Sequence, residues 1–320
     1  MAKRQDEKKE AILLMAYGSP DRDEDVEAYY THIRGGRKPT PSELENLLAR
    51  YRMIGGRSPL LGITQSTARK LEQKLGERGN DIRVYAGMKH WHPFIAEAFE
   101  QISRDGITSL TAIALAPHYS KMSIGSYQEA VSKANSEHGG KVELTFVNEW
   151  HLNRVFIEIW KKRIEQALND KFAGQDRDKI FFLFTAHSLP ERILTWKDPY
   201  KDQLLETADR LASELGLTSE QHSFAFQSAG HTSEPWLGPD ILDKLKDIRA
   251  NNWSRVLIIP IGFVSDHLEI LYDIDVEARE LAKEGDIQLE RTESFNDSDD
   301  FIKILYSVWS QSNNKKKKEK

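Results

Sequence analysis

The sequence contains no cysteine. This excludes disulfide bonds, thiolate metal sites, cysteine nucleophiles and cysteine-ligated iron–sulfur clusters. No apolar run approaches the roughly 20 residues that span a bilayer. The first ten residues, MAKRQDEKKE, are charged and lack the apolar core of a signal peptide. We therefore expect a cytoplasmic protein without a transmembrane segment.

Several common catalytic motifs are also missing. There is no G-x-x-x-x-G-K-[ST] phosphate loop, no G-x-S-x-G elbow and no H-E-x-x-H zinc motif. Gly18-Ser19-Pro20 follows the first apolar run where a dinucleotide-binding protein would carry G-x-G-x-x-G. These absences argue against nucleotide, dinucleotide, serine-hydrolase and zinc-protease chemistry.

The charge balance is mildly acidic. Hydrophobic residues make up 39% and charged residues 30%, as in water-soluble globular proteins, and the net charge is −5. A nucleic-acid partner is therefore not expected, because such proteins usually carry a basic face. The basic run Lys315–Lys318 lies near the C-terminus, and we expect residues 313–320 to form a disordered, solvated tail with no assigned function.

Short, nearly continuous apolar runs recur along the chain and alternate with amphipathic stretches. Runs of this kind are typical of strands buried on both faces of a parallel sheet. The predicted strands are Ile12–Tyr17, Ile82–Met88, Leu110–Ala116, Val142–Val147, Ile180–Ala186, Ser223–Gln227, Val256–Ile261 and Ile287–Leu289. The pattern predicts an α/β fold of doubly wound, Rossmann-like type, with four parallel strands in each half.

The two halves of the chain are similar to each other. ILLMAYGSP in the first matches IFFLFTAHSLP in the second, which aligns Tyr17 with His187. Two buried strands can look alike by chance, but the shared order of elements favours duplication. We predict an N-terminal domain over residues 1–150 and a C-terminal domain over 151–285. A closing strand and helix would occupy residues 286–312, with the helix able to pack on either domain.

Polar side chains collect where the predicted strands end, and ligands of open parallel sheets bind there. They are Tyr17, Lys89, His90, His118, His187, Ser228, Ser265, Asp266 and His267. If the two domains face each other, these ends line one cleft. The sequence thus predicts a single ligand site between the halves.

Three carboxylates follow the seventh predicted strand at helical spacing. Glu269, Asp273 and Glu277 fall at i, i+4 and i+8, in a helix that Ser265 or Asp266 could cap. Like charges at this spacing weaken a helix by roughly 0.2–0.5 kcal/mol per pair, and a cation relieves the repulsion. An ordinary acidic helix face is the alternative to a stripe of metal ligands.

His187 is the second candidate for metal chemistry. Imidazole can bind a borderline metal and accept a proton near neutral pH, although a lone histidine often has a structural role. One histidine and one glutamate make an open, weak site, unlike the closed four-ligand cages of structural zinc. Such a site suits a metal that is passed on.

Arginines are concentrated in a short stretch of the first half, and most of the candidate aromatic residues lie in the same half. Arg34, Arg37, Arg50 and Arg57, with Ser58, suit carboxylate recognition; a solvated basic loop is the alternative, above all for Arg37 and Arg57. Aromatic residues could form a flat wall for a planar macrocycle, although many aromatic side chains only fill cores. The candidates are Tyr29, Tyr30, Tyr51, His90, Trp91, His92, Tyr127 and Trp236.

Seven segments together resemble ferrochelatases, and most closely the cysteine-free enzymes of Bacillus-type Gram-positive bacteria. The resemblance extends from about Leu13 to the last helix. The segments are MAYGSPDRDEDVEAYYTHIRGGRKP, YRMIGGRSPL, GMKHWHPFI, LAPHYSKMSIGSY, TAHSLPERI, FQSAGHTSEPWLGPD and GFVSDHLEILYDID.

The resemblance implies a monomer with the chelatase fold and a porphyrin in the cleft. It places the iron site at His187 and Glu269 and an acidic ridge at Asp273 and Glu277, where Mg²⁺ is a further candidate ion. It implies no tightly bound cofactor, since Fe²⁺ is a substrate, and it allows a transient protein partner that receives the product. The implied porphyrin contacts are Tyr17, Arg34, Arg50, Tyr51, Ser58 and Tyr127, with Lys89, His90 and Trp236 lining the cleft.

The residues around Tyr17 indicate the substrate. This chain reads Ala-Tyr-Gly-Ser-Pro where other branches of the family have a Met-Gly-Gly-Pro-like stretch. The resemblance to the Gram-positive form implies insertion of Fe²⁺ into coproporphyrin III, with Tyr17 as an axial ligand of the product iron. The alternatives are a protoporphyrin IX ferrochelatase, a cobalt chelatase acting on sirohydrochlorin, and a non-catalytic tetrapyrrole or iron carrier.

Overall fold

The structure, a computed structural model, describes residues 9–230 and 233–318. Residues 1–8 and the last two residues of the predicted tail, Glu319 and Lys320, lie outside the described residues. No helix in the described part of the chain combines the length and the apolar character needed to cross a membrane.

The strands form where the sequence predicts them, and all eight predicted strands are confirmed to within two residues at each end. They are β1 (Glu10–Ala16), β2 (Arg83–Met88), β3 (Ser109–Ala114), β4 (Glu143–Val147), β5 (Phe181–His187), β6 (His222–Gln227), β7 (Arg255–Ile259) and β8 (Gln288–Arg291). In the described residues they make two four-stranded sheets, in the orders β2-β1-β3-β4 and β6-β5-β7-β8. Every pairing is parallel, so the predicted fold class is confirmed and both sheets share one topology.

Helices connect the strands and cover the sheets. They are α1 (Val26–Ile33), α2 (Pro41–Met53), α3 (Leu60–Glu77), α4 (Ile95–Arg104), α5 (Ser126–Glu137), α6 (Arg154–Lys171), α7 (Tyr200–Leu215), α8 (Ile241–Ala250), α9 (Leu268–Leu271), α10 (Arg279–Glu284) and α11 (Asp299–Lys318). Two π-helical segments also occur, at Lys121–Gly125 and Asp273–Ala278.

The central strands hold the two cores together. Leu13 in β1 and Leu183 in β5 are completely buried, because each strand has a neighbour on both sides and helices on both faces. Fully burying a side chain of this size contributes about 1.5–3 kcal/mol. Helix α4 shows the matching helical pattern, since Ile95, Phe99 and Ile102 are buried on one face against the first sheet.

The chain divides into two compact units. The first unit comprises the described residues of 1–44, 59–150 and 296–320, and the second comprises 45–58 and 151–295. Residues 45–58, which the sequence analysis assigned to the first half, thus belong to the second unit, where the Arg50 guanidinium lies 4.8 Å from the Tyr272 ring centroid. Helix α11 belongs to the first unit and packs on α3 there.

The basic C-terminal segment differs from the expected disordered tail. Helix α11 continues through residues 313–318, so the expectation of disorder is wrong for these residues. Lys316 gives the physical reason, because its ammonium lies 3.1 Å from the Glu143 carboxylate and donates to Ser109 Oγ at 3.0 Å. Lysine is also a good helix former.

Candidate active site

The carboxyl edge of the second sheet carries the strongest candidate site. His187 is the last residue of β5, and its neighbour Gln227 ends β6. The loop after β7 passes close to β5 at Gly262, where an added Cβ would lie only 2.4 Å from Ala186 Cβ. Glycine is therefore needed there, and this close approach brings the segment with Glu269 to His187.

His187 and Glu269 form an ion pair. His187 Nε2 lies 3.5 Å from Glu269 Oε2, and about 30% of each side chain is exposed. Nδ1 of His187 donates to the carbonyl of Ser188, while the hydroxyl of Tyr200 donates to the carbonyl of His187 at 3.0 Å. These bonds hold the ring so that Nε2 faces the carboxylate.

The pair is strongly polarised. Burial disfavours the imidazolium of His187, but the carboxylate of Glu269 outweighs burial and raises the histidine pKa to about 9. Burial likewise disfavours the carboxylate of Glu269, yet His187 outweighs it and lowers the pKa of Glu269 to about 2. At neutral pH the pair therefore holds one proton, on the imidazole.

His267 is a second histidine near the same carboxylate oxygen of Glu269. Its Nε2 is 3.7 Å from Glu269 Oε2, and the side chain is 18% exposed. Burial lowers the pKa of His267, which favours its neutral form. The sequence analysis placed His267 at a strand end but gave it no role. Its position two residues before Glu269 was the available signal.

Asp273 is buried next to this pair, and residues at the end of β6 hold both Asp273 and Glu269. Ser228 Oγ donates to Asp273 Oδ2, and Gln227 Nε2 donates to the carbonyl of Glu269 at 2.6 Å. Burial, reinforced by the charge of Glu269, raises the pKa of Asp273 to about 7, although Ser228 and Arg50 act in the opposite direction. Besides Glu269, the site therefore contains a second carboxyl group, that of Asp273, and its pKa lies near neutral pH.

The predicted helix through the three carboxylates requires correction. Helix α9 is only four residues long, and a π-helix follows it over Asp273–Ala278. The N–H groups of Val276 and Glu277 both bond to the carbonyl of Tyr272, which shifts the register. Glu269 and Asp273 stay close enough to influence each other, whereas Glu277 is the smallest of the influences named on the Asp273 pKa.

The predicted cap of this helix is also wrong. His267 occupies the N-cap position and makes no side-chain capping bond. Asp266 instead accepts hydrogen bonds from Ser294 Oγ at 2.6 Å and from Arg291 at 3.3 Å. Asp266 bonds to Arg291, at the end of β8, because a hydrogen bond from a charged guanidinium is stronger than one from a backbone N–H.

The walls around His187 are aromatic. The ring centroids of Trp236 and Phe263 lie 6.4 and 6.5 Å from that of His187. Among the described residues, no group of three or more histidine, aspartate or glutamate side chains is arranged to enclose a metal ion. The arrangement at His187 and Glu269 is therefore that of an open site with an apolar surround.

The first sheet carries a different cluster at its equivalent edge. Tyr17 directly follows β1 and is 40% exposed, and its ring centroid lies 4.5 Å from that of His90. The N–H of His90 bonds to the carbonyl of Tyr17 at 2.9 Å. His32 Nδ1 lies 3.1 Å from His90 Nδ1, so one proton is shared between these two nitrogens.

Burial disfavours the charged forms of two groups in this cluster, His90 and Lys89. Burial, with help from Lys89 and His32, lowers the pKa of His90 to about 3. Burial also lowers the pKa of Lys89, whose ammonium donates to Ser126 Oγ at 2.6 Å and lies 5.7 Å from the Tyr127 ring centroid. The structure thus brings Tyr17, Lys89, His90 and Tyr127 to one edge of the first sheet.

The arginine-rich stretch does not form one basic loop. Arg34 pairs with Glu43 at 2.7 Å and lies over Tyr30 in the first unit, whereas Arg50 contacts Tyr272 in the second. Arg37 and Arg57 are exposed, and Tyr51 and Ser58 are buried in the second unit.

The architecture places the protein in a known structural class. The sirohydrochlorin chelatase SirB from Bacillus subtilis subspecies spizizenii, solved with cobalt, superposes with a TM-score of 0.58. The alignment covers 96% of both chains at 12% identity, so it shows the fold alone. Two parallel four-stranded sheets with this topology define the chain as having the chelatase fold.

Sequence comparison gives the particular family. Residues 9–313 match the ferrochelatase family model. A ferrochelatase from Herpetosiphon aurantiacus is 48% identical, over 94% of this chain and 98% of that protein. The coproporphyrin III ferrochelatases of Halalkalibacterium halodurans and Geobacillus thermodenitrificans are 43% and 41% identical, over 94% and 93% of this chain and 96% and 94% of those proteins. The chain belongs to the ferrochelatase family and is an enzyme of haem and porphyrin biosynthesis.

Proposed function

We propose that this enzyme inserts Fe²⁺ into coproporphyrin III and releases Fe-coproporphyrin III. The observation that carries the metal step is the His187–Glu269 pair, a polarised and open ligand set at the end of a central strand. The choice of porphyrin is supported by relatives at 41–43% identity that are coproporphyrin III ferrochelatases.

The metal step follows from the protonation of the pair. Fe²⁺ can bind Nε2 of His187 only after that nitrogen has lost its proton. The ion would therefore displace the proton of the free pair and bind both Nε2 and the Glu269 carboxylate. Insertion then releases two pyrrole protons. Once the iron has moved onto the pyrrole nitrogens, His187 takes up one of these protons, which restores the protonated pair with Glu269, and the second proton passes to solvent, because the pKa of Glu269 is too low for its carboxylate to keep a proton at neutral pH.

The porphyrin must be held while its ring is bent, because bending exposes the lone pairs of the pyrrole nitrogens. The strain of ~1–5 kcal/mol can be offset by contacts with parts of the porphyrin remote from the nitrogens. We assign propionate and ring contacts to Arg34, Arg50, Tyr51, Ser58 and Tyr127, with Lys89, His90 and Trp236 beside the ring. Tyr17 would be the axial ligand of the product iron. Of these positions, Tyr17, Arg34, Lys89, His90 and Tyr127 lie in the first unit, and Arg50, Tyr51, Ser58 and Trp236 lie in the second.

The remaining parts of the proposal concern ions and partners. Asp273 and Glu277 would guide the incoming ion, and Mg²⁺ is the second ion to test there. No resident cofactor is required for this reaction. We propose a monomer in the cytoplasm that transfers its product to a transient protein partner, with light scattering as the test of its oligomeric state.

A rate comparison tests the substrate. Coproporphyrin III and protoporphyrin IX are each mixed with Fe²⁺ and the purified enzyme, and insertion is followed by absorbance. We expect faster turnover of coproporphyrin III, because four propionates offer more anchors to arginine than two. A strong preference for protoporphyrin IX would contradict the substrate while leaving iron insertion intact. Binding without turnover would indicate a carrier.

A further inference from the structure

Arg291 is not part of the His187–Glu269 pair, but it contacts both ends of the segment that carries Glu269. The residue ends β8, where it pairs with Ile258 of β7, and only 14% of its side chain is exposed. Nε and Nη2 donate to the two carboxylate oxygens of Asp275, each at 2.8 Å. Nη2 also donates to Asp266 at 3.3 Å, and Nη1 donates to the carbonyl of Thr292 at 3.1 Å.

The two aspartates flank the candidate ligands in sequence. Asp266 precedes Glu269 by three residues, and Asp275 follows Asp273 by two. The segment between them has little helical stability of its own, because α9 has only four residues and then passes into the π-helix. An anchor from outside the segment is therefore needed to fix its shape.

The segment also carries an internal repulsion. Glu269 and Asp273 are both acidic and stand four residues apart, a spacing at which like charges destabilise a helical segment. Gln227 and Ser228 hold these two residues from the β6 side. Arg291 holds the same segment through Asp266 and Asp275 from the β8 side, so the carboxylates are fixed between two strand ends.

We propose that Arg291 is a positioning residue for iron binding, which sets the separation of Glu269 from His187 by bridging Asp266 and Asp275. This inference rests on the proposed function, because it concerns the affinity of the same metal site. It predicts that loss of the two-pronged contact weakens metal binding without changing porphyrin binding.

Arg291→Lys is the main test, because lysine keeps the charge but cannot bind Asp275 with two parallel hydrogen bonds. We expect the KM for Fe²⁺ to rise by about tenfold, as for other changes to groups that orient metal ligands, with the KM for coproporphyrin III unchanged. Titration of the porphyrin-free protein with Co²⁺ alone should show a similar loss of affinity. Arg279→Gln is the matched control, since Arg279 reaches Asp275 only at 4.0 Å and is 51% exposed.

The outcomes separate the two proposals. An Arg291→Lys protein with wild-type KM for Fe²⁺ and wild-type Co²⁺ affinity would overturn the positioning role. Equal changes in both KM values, together with a lowered Tm, would also overturn it, because they indicate general destabilisation. A wild-type protein that binds Co²⁺ but inserts no Fe²⁺ would contradict the proposed function itself. Arg291→Lys then still tests the positioning of the metal ligands through Co²⁺ affinity.

Discussion

The two units have the same sheet topology and collect side chains at the same edge, yet the chemistry at these edges is opposite. In the first unit, the Tyr17 ring packs against His90, and burial disfavours protonation of His90 and of its sequence neighbour Lys89. In the second, His187 is surrounded by carboxylates that keep it protonated. One fold thus carries an aromatic and weakly basic cluster at one sheet edge and a polarised histidine–carboxylate pair at the other.

The difference arises beside equivalent strand ends. Lys89 and His90 follow β2 next to Tyr17, whereas Gln227 and Ser228 stand at the end of β6 next to His187. Gln227 and Ser228 are neutral, and their bonds hold the acidic segment in place. The sheet topology therefore determines where a ligand can bind, and the residues at and just after each strand end determine the chemical class of that ligand.

The largest predicted effect comes from removing the histidine that distinguishes the second unit. We expect His187→Ala to lower kcat for iron insertion by about 10²–10⁴-fold, because the site loses both a ligand and a proton acceptor. His222→Ala is the matched control, since His222 begins β6 at the opposite end of the same sheet. Wild-type kcat for His187→Ala, measured by absorbance, would remove His187 from the mechanism.

A second prediction uses the proton held by the pair. Because the pKa of His187 is about 9, a metal must displace that proton at lower pH. Affinity for Co²⁺ should therefore rise about tenfold per pH unit, or roughly 100-fold from pH 6 to pH 8. Calorimetric titration measures this slope, and the His187→Ala protein should lack it. A wild-type affinity independent of pH would show that His187 is not a ligand.

A third prediction concerns stability. The pKa of Asp273 is about 7 in the folded protein, whereas an exposed aspartate, as in the unfolded chain, has a pKa of 3.8. Between pH 3.8 and about pH 7, the folded state therefore keeps a proton that the unfolded state has lost. The free energy of unfolding therefore falls as pH rises through this window, by about 2 kcal/mol after allowance for relaxation of the site.

Asp273→Asn removes this titration, so its stability relative to wild type should increase by that amount between pH 4 and pH 8. Urea unfolding at several pH values measures the difference. The exposed Asp209→Asn protein, altered on α7, should show a constant difference from wild type. The same constant difference for Asp273→Asn would mean that Asp273 titrates normally.

The smallest effect is predicted in the first unit, away from both clusters. Lys316→Ala removes the ion pair with Glu143, which is 43% exposed, and should cost about 0.2–1 kcal/mol of unfolding free energy. Thermal unfolding with and without high salt tests this, since screening should reduce the difference. A much larger loss would mean that the end of α11 is structurally essential.

The sequence was sufficient to predict the strands, because β1 and β5 are buried on both faces and are apolar along most of their length. It was also sufficient to place His187, Glu269 and Tyr17 at sheet edges. The π-helix was not predictable, since regular i, i+4 spacing favours an α-helix and the bonds to Arg291 come from a distant strand. The assignment of residues 45–58 to the second unit likewise depends on packing, such as Arg50 on Tyr272, that spacing along the chain does not reveal.

Helix α11 makes the larger part of the second unit, residues 151–295, an insertion within the first unit. The chain leaves the first unit after Trp150 and returns to it at Asn296, so the buried Phe301, Leu305 and Trp309 complete a core begun more than 150 residues earlier. Ribosomal synthesis must therefore finish the second unit before the first has all of its parts. A nonsense mutation just after residue 295 would leave the unit that carries His187 and Glu269 whole and would damage the unit that carries Tyr17.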